Sequence, residues 1–185
     1  MSGLIKMKQG KGFTLVEVLV TLVIFSIIYM AVIMCLSTGR TSFYTGDTKI
    51  AVQQEIRKAF LVMNQELRQS RPSLIVGVPA DGNNYSTITF NIPADADGDE
   101  DVIDDDSGNV EWSENITYTL NGNNQITRTT ASTGATIIAN NITNLQFRRL
   151  ATSPNIIQIS VNCQKATVLG RNLSDTILSS VTMRN

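Results

Sequence analysis

Histidine is absent from the 185 residues. Its absence excludes a Cys/His nucleophilic pair, the usual Ser/His/Asp triad and any imidazole metal site. Cysteine is scarce: Cys35 closes a long apolar run and Cys163 falls in a polar, strand-like stretch. Their surroundings differ too much in kind for the two to pair, and Cys163 is expected to be a free, half-buried thiol. Excess charge of either sign is also missing, since the formal net charge is −1, and no nucleic-acid partner is predicted. Paired carboxylates occur only in one acidic loop with no cleft implied around them, so the chain does not read as an enzyme.

What is present in abundance is apolar sequence near the N-terminus. From Phe13 to Leu36 run 24 residues that are almost all apolar. A helix of that length spans roughly 36 Å, enough to cross the hydrocarbon core of a bilayer. Glu17 interrupts the pattern, and an unpaired carboxylate at such depth costs on the order of 3 kcal/mol. If the chain is cut after Gly12, the new α-amine of Phe13 lies about one helical turn from Glu17 and the two charges can neutralise each other. Lys6, Lys8 and Lys11 precede the run without an acid, which keeps the leader cytoplasmic and sends the C-terminal part across the membrane.

The segment Lys11-Gly12-Phe13-Thr14-Leu15-Val16-Glu17 resembles the class III signal of type IV pilins and pseudopilins. The resemblance implies cleavage between Gly12 and Phe13 by a prepilin peptidase, N-methylation of Phe13, and use of Glu17 in assembly with other pilins or pseudopilins through the N-terminal helix. A secretory signal peptide fits less well, because its apolar core is shorter and ends at a small-residue cleavage site. An uncleaved single-pass anchor is the other alternative.

Beyond Leu36, a small and polar patch (Ser37, Gly39, Thr41, Ser42, Gly46) is followed by Val52, Ile56, Ala59, Phe60, Met63 and Leu67 at spacings of three and four. That stripe predicts a helix half-embedded in a domain, with Gln54, Arg57, Lys58, Asn64 and Arg68 on its polar face. Arg71-Pro72 should end it, because the residue before proline is pushed out of the α region. An unbroken helix from Phe13 to Ser70 would be roughly 87 Å long. Many major pilins carry a proline in the first half of this helix; here there is none.

After Pro72, period-two alternation predicts strands at Ile116–Leu120 and Gln125–Thr130, joined by an Asn121–Asn124 turn. Further strands are expected at 135–139, 145–150, 156–163 and 176–183, with Arg148 and Arg149 solvated at a sheet edge. The expected fold class is α+β, a long N-terminal helix with an antiparallel β-sheet head packed on its second half. The division is leader 1–12, helix 13–72 with its membrane part at about 13–36, and head 73–185. This second half resembles the heads of PilW-type minor pilins and J-type minor pseudopilins.

The head contains an acidic loop, 93–114, that holds ten of the chain's 16 acids and no basic residue. Alternating carboxylates at Asp95, Asp97 and Asp99, with Gly98 allowing a tight turn and Asp101 and Asp104 following, are candidate ligands for calcium. The spacing resembles EF-hand-like and thrombospondin type 3 loops, but Glu100 stands where a second Gly is usual; a solvated loop is the alternative. Together these features read as a minor pilin or pseudopilin of the bacterial inner membrane, built into the tip or initiation complex of a type IV pilus or type II secretion pseudopilus. A monomeric, membrane-anchored, calcium-dependent binding module is the rival reading.

Overall fold

A computed structural model describes residues 12–95, 98, 101–104 and 107–184. The chain divides into two compact units that meet between Phe43 and Tyr44. Helix α1, Leu15–Gln69, supplies all the secondary structure among the described residues of the first unit and the helical layer of the second.

In the first unit, α1 starts two residues later than the apolar run because Thr14 serves as its cap. The Glu17 amide donates to Thr14 Oγ1 at 3.3 Å, and the Val18 amide to the Thr14 carbonyl at 3.2 Å. A threonine at the cap satisfies one of the four amides that a helix start leaves without partners. Phe13 therefore precedes the cap and lies outside the helix, contrary to the expectation that the helix begins there.

In the second unit, the stripe read from the sequence is the stripe that is buried: Val52, Ile56, Ala59, Phe60, Met63 and Leu67 are all in the core. Each large aliphatic side chain so buried contributes about 1.5–3 kcal/mol. The helix stops at Gln69, and Arg71 is extended (φ −110°, ψ 151°) ahead of a short 3-10 turn at Pro72–Leu74. That is the conformation proline imposes on the residue before it.

The strands are antiparallel throughout, as expected, but they form two four-stranded sheets rather than one. The first is a meander of β2 (Thr87–Phe90), β3 (Ile116–Leu120), β4 (Ile126–Thr130) and β5 (Gly134–Ala139). The second has the order β1 (Asn84–Tyr85), β6 (Ile142–Leu150), β7 (Ser153–Ala166) and β8 (Asn172–Thr182). The chain changes sheets after β5 at Asn140-Asn141, where Asn141 takes φ 60°, a left-handed conformation that asparagine tolerates better than most residues. Read along the sequence, that pair looks like any polar break between strands. β1 and β2, too short to show a period, also escaped the sequence reading.

The two sheets and the stripe enclose one core. Ile157, Ile159, Val161 and Cys163 alternate inward along β7, and Phe90 stacks on Tyr118 with ring centroids 5.8 Å apart. Two expectations fail here. Cys163 is fully buried rather than half-buried, because β7 is flanked by β6 and β8. Arg149 is buried rather than solvated at an edge, since β6 lies between β1 and β7, and its guanidinium donates to the carbonyls of Pro154 and Pro72. Arg148 keeps an exposed position and donates to the Gly82 carbonyl at 2.7 Å.

Candidate functional site

The N-terminal candidates lie in the first unit. Gly12, Phe13 and Glu17 are all exposed, and Glu17 occupies the first turn of α1, three residues after its Thr14 cap. A carboxylate there is favoured by the partial positive charge of the helix start. The sequence reading gave Glu17 a single partner, the Phe13 amine; the cap adds a local reason for an acid at this position. The remaining leader residues, including Lys6, Lys8 and Lys11, lie outside the described residues.

The helix that follows is apolar on every side, long enough to cross a membrane, and none of its apolar window is buried within the protein. Leu15, Leu22, Phe25 and Tyr29 are each at least 60% exposed. So much contiguous apolar surface is not left to water, and an all-round apolar helix of this length suits lipid or other helices. Its hydroxyls fit that environment. Thr21 Oγ1 donates to the Glu17 and Val18 carbonyls (3.0 and 2.8 Å), and Ser26 Oγ to those of Leu22 and Val23 (2.9 and 2.8 Å). Donors folded back on their own helix present no unsatisfied hydrogen bond to hydrocarbon.

In the second unit, two carboxylates that the sequence reading passed over join the helix to the sheets. Glu55 and Glu66 are eleven residues apart, about three turns, and so share a side of α1. Glu66 accepts from the Tyr118 hydroxyl at 2.5 Å and from Arg128 Nε at 2.9 Å, and Glu55 accepts from the Asn140 amide at 2.8 Å. Burial, and then the hydrogen bond to Glu66, push the Tyr118 hydroxyl well above the usual tyrosine range. Burial, with the nearby charge of Glu55 second, pushes the Cys163 thiol up to about 11. The available signal was that both acids flank the apolar stripe, where a charge needs a partner from the packed layer.

The acidic loop is placed only in part. Asp97 and Asp99 lie outside the described residues. Asp95 accepts from the Gly98 amide at 2.6 Å, Asp101 from that of Val102 at 2.6 Å, and Asp104 from that of Ser107 at 2.8 Å. Each of these carboxylates thus closes its own local turn. Among the described residues, no three acidic or thiol side chains converge in a way that would hold a metal ion. Glu114, read as part of the same acidic run, reaches away from it and accepts from the Ser132 amide at 2.8 Å and from the Ser132 hydroxyl. Those bonds hold its carboxyl below the usual range.

Residues 7–33 match the family described as the prokaryotic N-terminal methylation motif. The N-terminal segment is thus of the kind typical of type IV pilins and pseudopilins, and it leads into an apolar helix suited to a membrane anchor. The motif implies processing by prepilin peptidase and assembly with other pilins. The match ends at residue 33, before the head, and does not reach the distinction between PilW-type and J-type subunits. No curated protein and no solved structure matches the chain.

Proposed function

We propose that the chain is a minor pilin or minor pseudopilin, a structural subunit rather than an enzyme, that is cut between Gly12 and Phe13, methylated on the Phe13 amine, and assembled through its N-terminal helix. The leader, with its three lysines, stays cytoplasmic and the head faces away from the cytoplasm. The observation that carries this reading is the methylation motif set on an exposed apolar helix in which Glu17 is the single charged residue from Phe13 to Leu36.

Cutting at Gly12 creates an α-amine next to the Thr14 cap, within reach of a carboxylate in the first helical turn. In lipid, an amine and a carboxylate are each costly alone and much cheaper as a pair. A subunit that presents both at its helix end can exchange one partner for the same group on a neighbour. A place at the tip or in the initiation complex of a type IV pilus or type II secretion pseudopilus is the role we assign to it. Mass spectrometry of the mature N-terminus is the test: N-methyl-phenylalanine at Phe13 is expected. An intact leader would point instead to a monomeric, membrane-anchored binding module.

A further inference from the structure

We propose that the β7–β8 hairpin tip is a membrane-surface contact, in which Val168 and Leu169 enter the bilayer interface and Lys165 and Arg171 take anionic phospholipid headgroups. The inference rests on the membrane-anchor reading of residues 13–36.

The tip is a tight turn closed by its own backbone. The Thr167 amide donates to the Arg171 carbonyl at 2.7 Å and the Gly170 amide to the Thr167 carbonyl at 2.9 Å, with Gly170 at φ 76°. Thr167 is buried and its hydroxyl oxygen accepts from the Arg171 amide at 3.0 Å. Thr167 and Gly170 therefore make the turn, and the two positions between them are free to be polar. They are instead Val168, 81% exposed, and Leu169, 53% exposed. Folding gives no reason for apolar side chains there.

The position of the tip within its unit suggests the reason. Leu173, Ser174 and Asp175, at the start of β8, share a cavity of about 340 Å³ with Thr45, Lys49 and Val52 of α1. Just past the other end of β8, the Arg184 amide donates to the Ser70 carbonyl at 3.1 Å. β8 thus runs parallel to this part of α1, and the turn before it lies at the end where the chain enters the unit, at Tyr44. The apolar run ends eight residues earlier, at Leu36, so even a fully extended link holds that end within about 29 Å of the bilayer. Four strand residues from Asp175 back to Arg171 carry the tip about 13 Å further out.

The charges agree with a lipid occupant. Lys165 and Arg171 flank the tip and are exposed, and Lys49 adds a third cation at the same end, against Asp47 and Asp175. Long cationic side chains beside a pair of apolar ones let the apolar pair sink while the charges stay at headgroup level. Anionic lipid attracts each such cation, and salt screens the attraction.

The experiment uses the full chain in nanodiscs of phosphatidylglycerol and phosphatidylcholine with brominated acyl chains. Trp112, the single tryptophan, is first changed to Phe, and a reporter is then placed at one of three sites: Leu169→Trp at the tip, Leu178→Trp at an exposed position farther along β8, and Phe25→Trp in the apolar run. Bromine should quench the tip reporter by about half, as expected for burial at the acyl boundary, and leave the Leu178→Trp reporter unaffected. Lys165→Glu with Arg171→Glu should reduce tip quenching in anionic discs, and discs of phosphatidylcholine alone should show the weaker signal without either change. An unquenched tip beside a quenched Phe25→Trp overturns this inference and leaves the anchor standing. An unquenched Phe25→Trp overturns both. Equal quenching at Leu169→Trp and Leu178→Trp, or a tip protected only when other pilin subunits are added, also rejects the contact, the latter in favour of a protein partner. Tip quenching that ignores both lipid charge and the two charge reversals refutes the headgroup assignment.

Discussion

One helix, α1, carries two surfaces of opposite logic. Up to Leu36 it is apolar on all sides and no residue is buried; from Thr48 to Leu67 it is apolar along one stripe and the stripe is wholly buried. In the second stretch the occupant of the apolar surface is the chain's own head, so each stripe residue has a role in folding. In the first stretch no described part of the chain covers the apolar surface, and so much exposed apolar area suits lipid or other helices rather than water. Apolar composition alone thus does not say what a helix is for. The width of the apolar face does.

The sharpest way to break the comparison is to act on the first stretch and look for an effect on maturation alone. Gly12→Val should abolish removal of the leader, because the motif reserves that position for the residue with no side chain, while the melting temperature of the head stays unchanged. A leader cleaved normally in this variant, seen as a mass shift on a gel or by mass spectrometry, would remove the processing site from the account.

Next in size is Glu17→Ala. Membrane insertion should be retained, since a charge is removed from an apolar helix, but assembly should drop steeply, because the Phe13 amine loses its carboxylate and the helix start loses a favourable acid. Counts of pili, or secreted protein if the machine is a pseudopilus, provide the readout; wild-type levels would leave Glu17 with its local role only.

On the packed side, Met63→Ala removes a fully buried side chain and should cost the head about 2–5 kcal/mol. The matched change Leu22→Ala, on the exposed stretch, should alter head stability by less than about 0.5 kcal/mol. Thermal melts of the two full-length variants in detergent check this directly, and equal losses would erase the distinction between the two halves of α1.

A pH series sharpens the same contrast from inside the core. Burial raises the Cys163 thiol to about 11 from a starting value of 9.0. A raised value in the folded state means the stabilisation is complete below about pH 9 and is lost as pH climbs towards 11, by about 3 kcal/mol in all. Cys163→Ala, although less stable at neutral pH, should show a flatter decline over that interval.

The smallest effect belongs to the acidic loop, where calcium binding is a proposal. If Asp95, Asp97, Asp99, Asp101 and Asp104 take the ion with the affinity usual for extracellular modules, millimolar calcium should raise stability by about 0.4–1.4 kcal/mol. Melting with calcium, with chelator and with magnesium as a screening control measures it, and Asp97→Asn with Asp99→Asn should abolish the difference. An unchanged melt in the parent protein returns the loop to a solvated role.

Much of this protein was written along the chain. The apolar run, its lone acid, the stripe from Val52 to Leu67, the stop at Arg71-Pro72 and the Asn121–Asn124 hairpin all depend on neighbours in sequence, through helical period, strand period or turn chemistry. Those are local properties, and residue order is sufficient to express them. The split into two sheets, the burial of Arg149 and Cys163, and the ties of Glu66 to Tyr118 and Arg128 join positions dozens of residues apart. No local period encodes which strand becomes interior. Once β6 and β7 take the inner places of their sheet, an arginine that looked solvated must find carbonyls, and a thiol that looked half-exposed loses contact with water. The composition of the sheets settled both outcomes, because burial belongs to a residue's neighbours in space and only the tertiary structure chooses them.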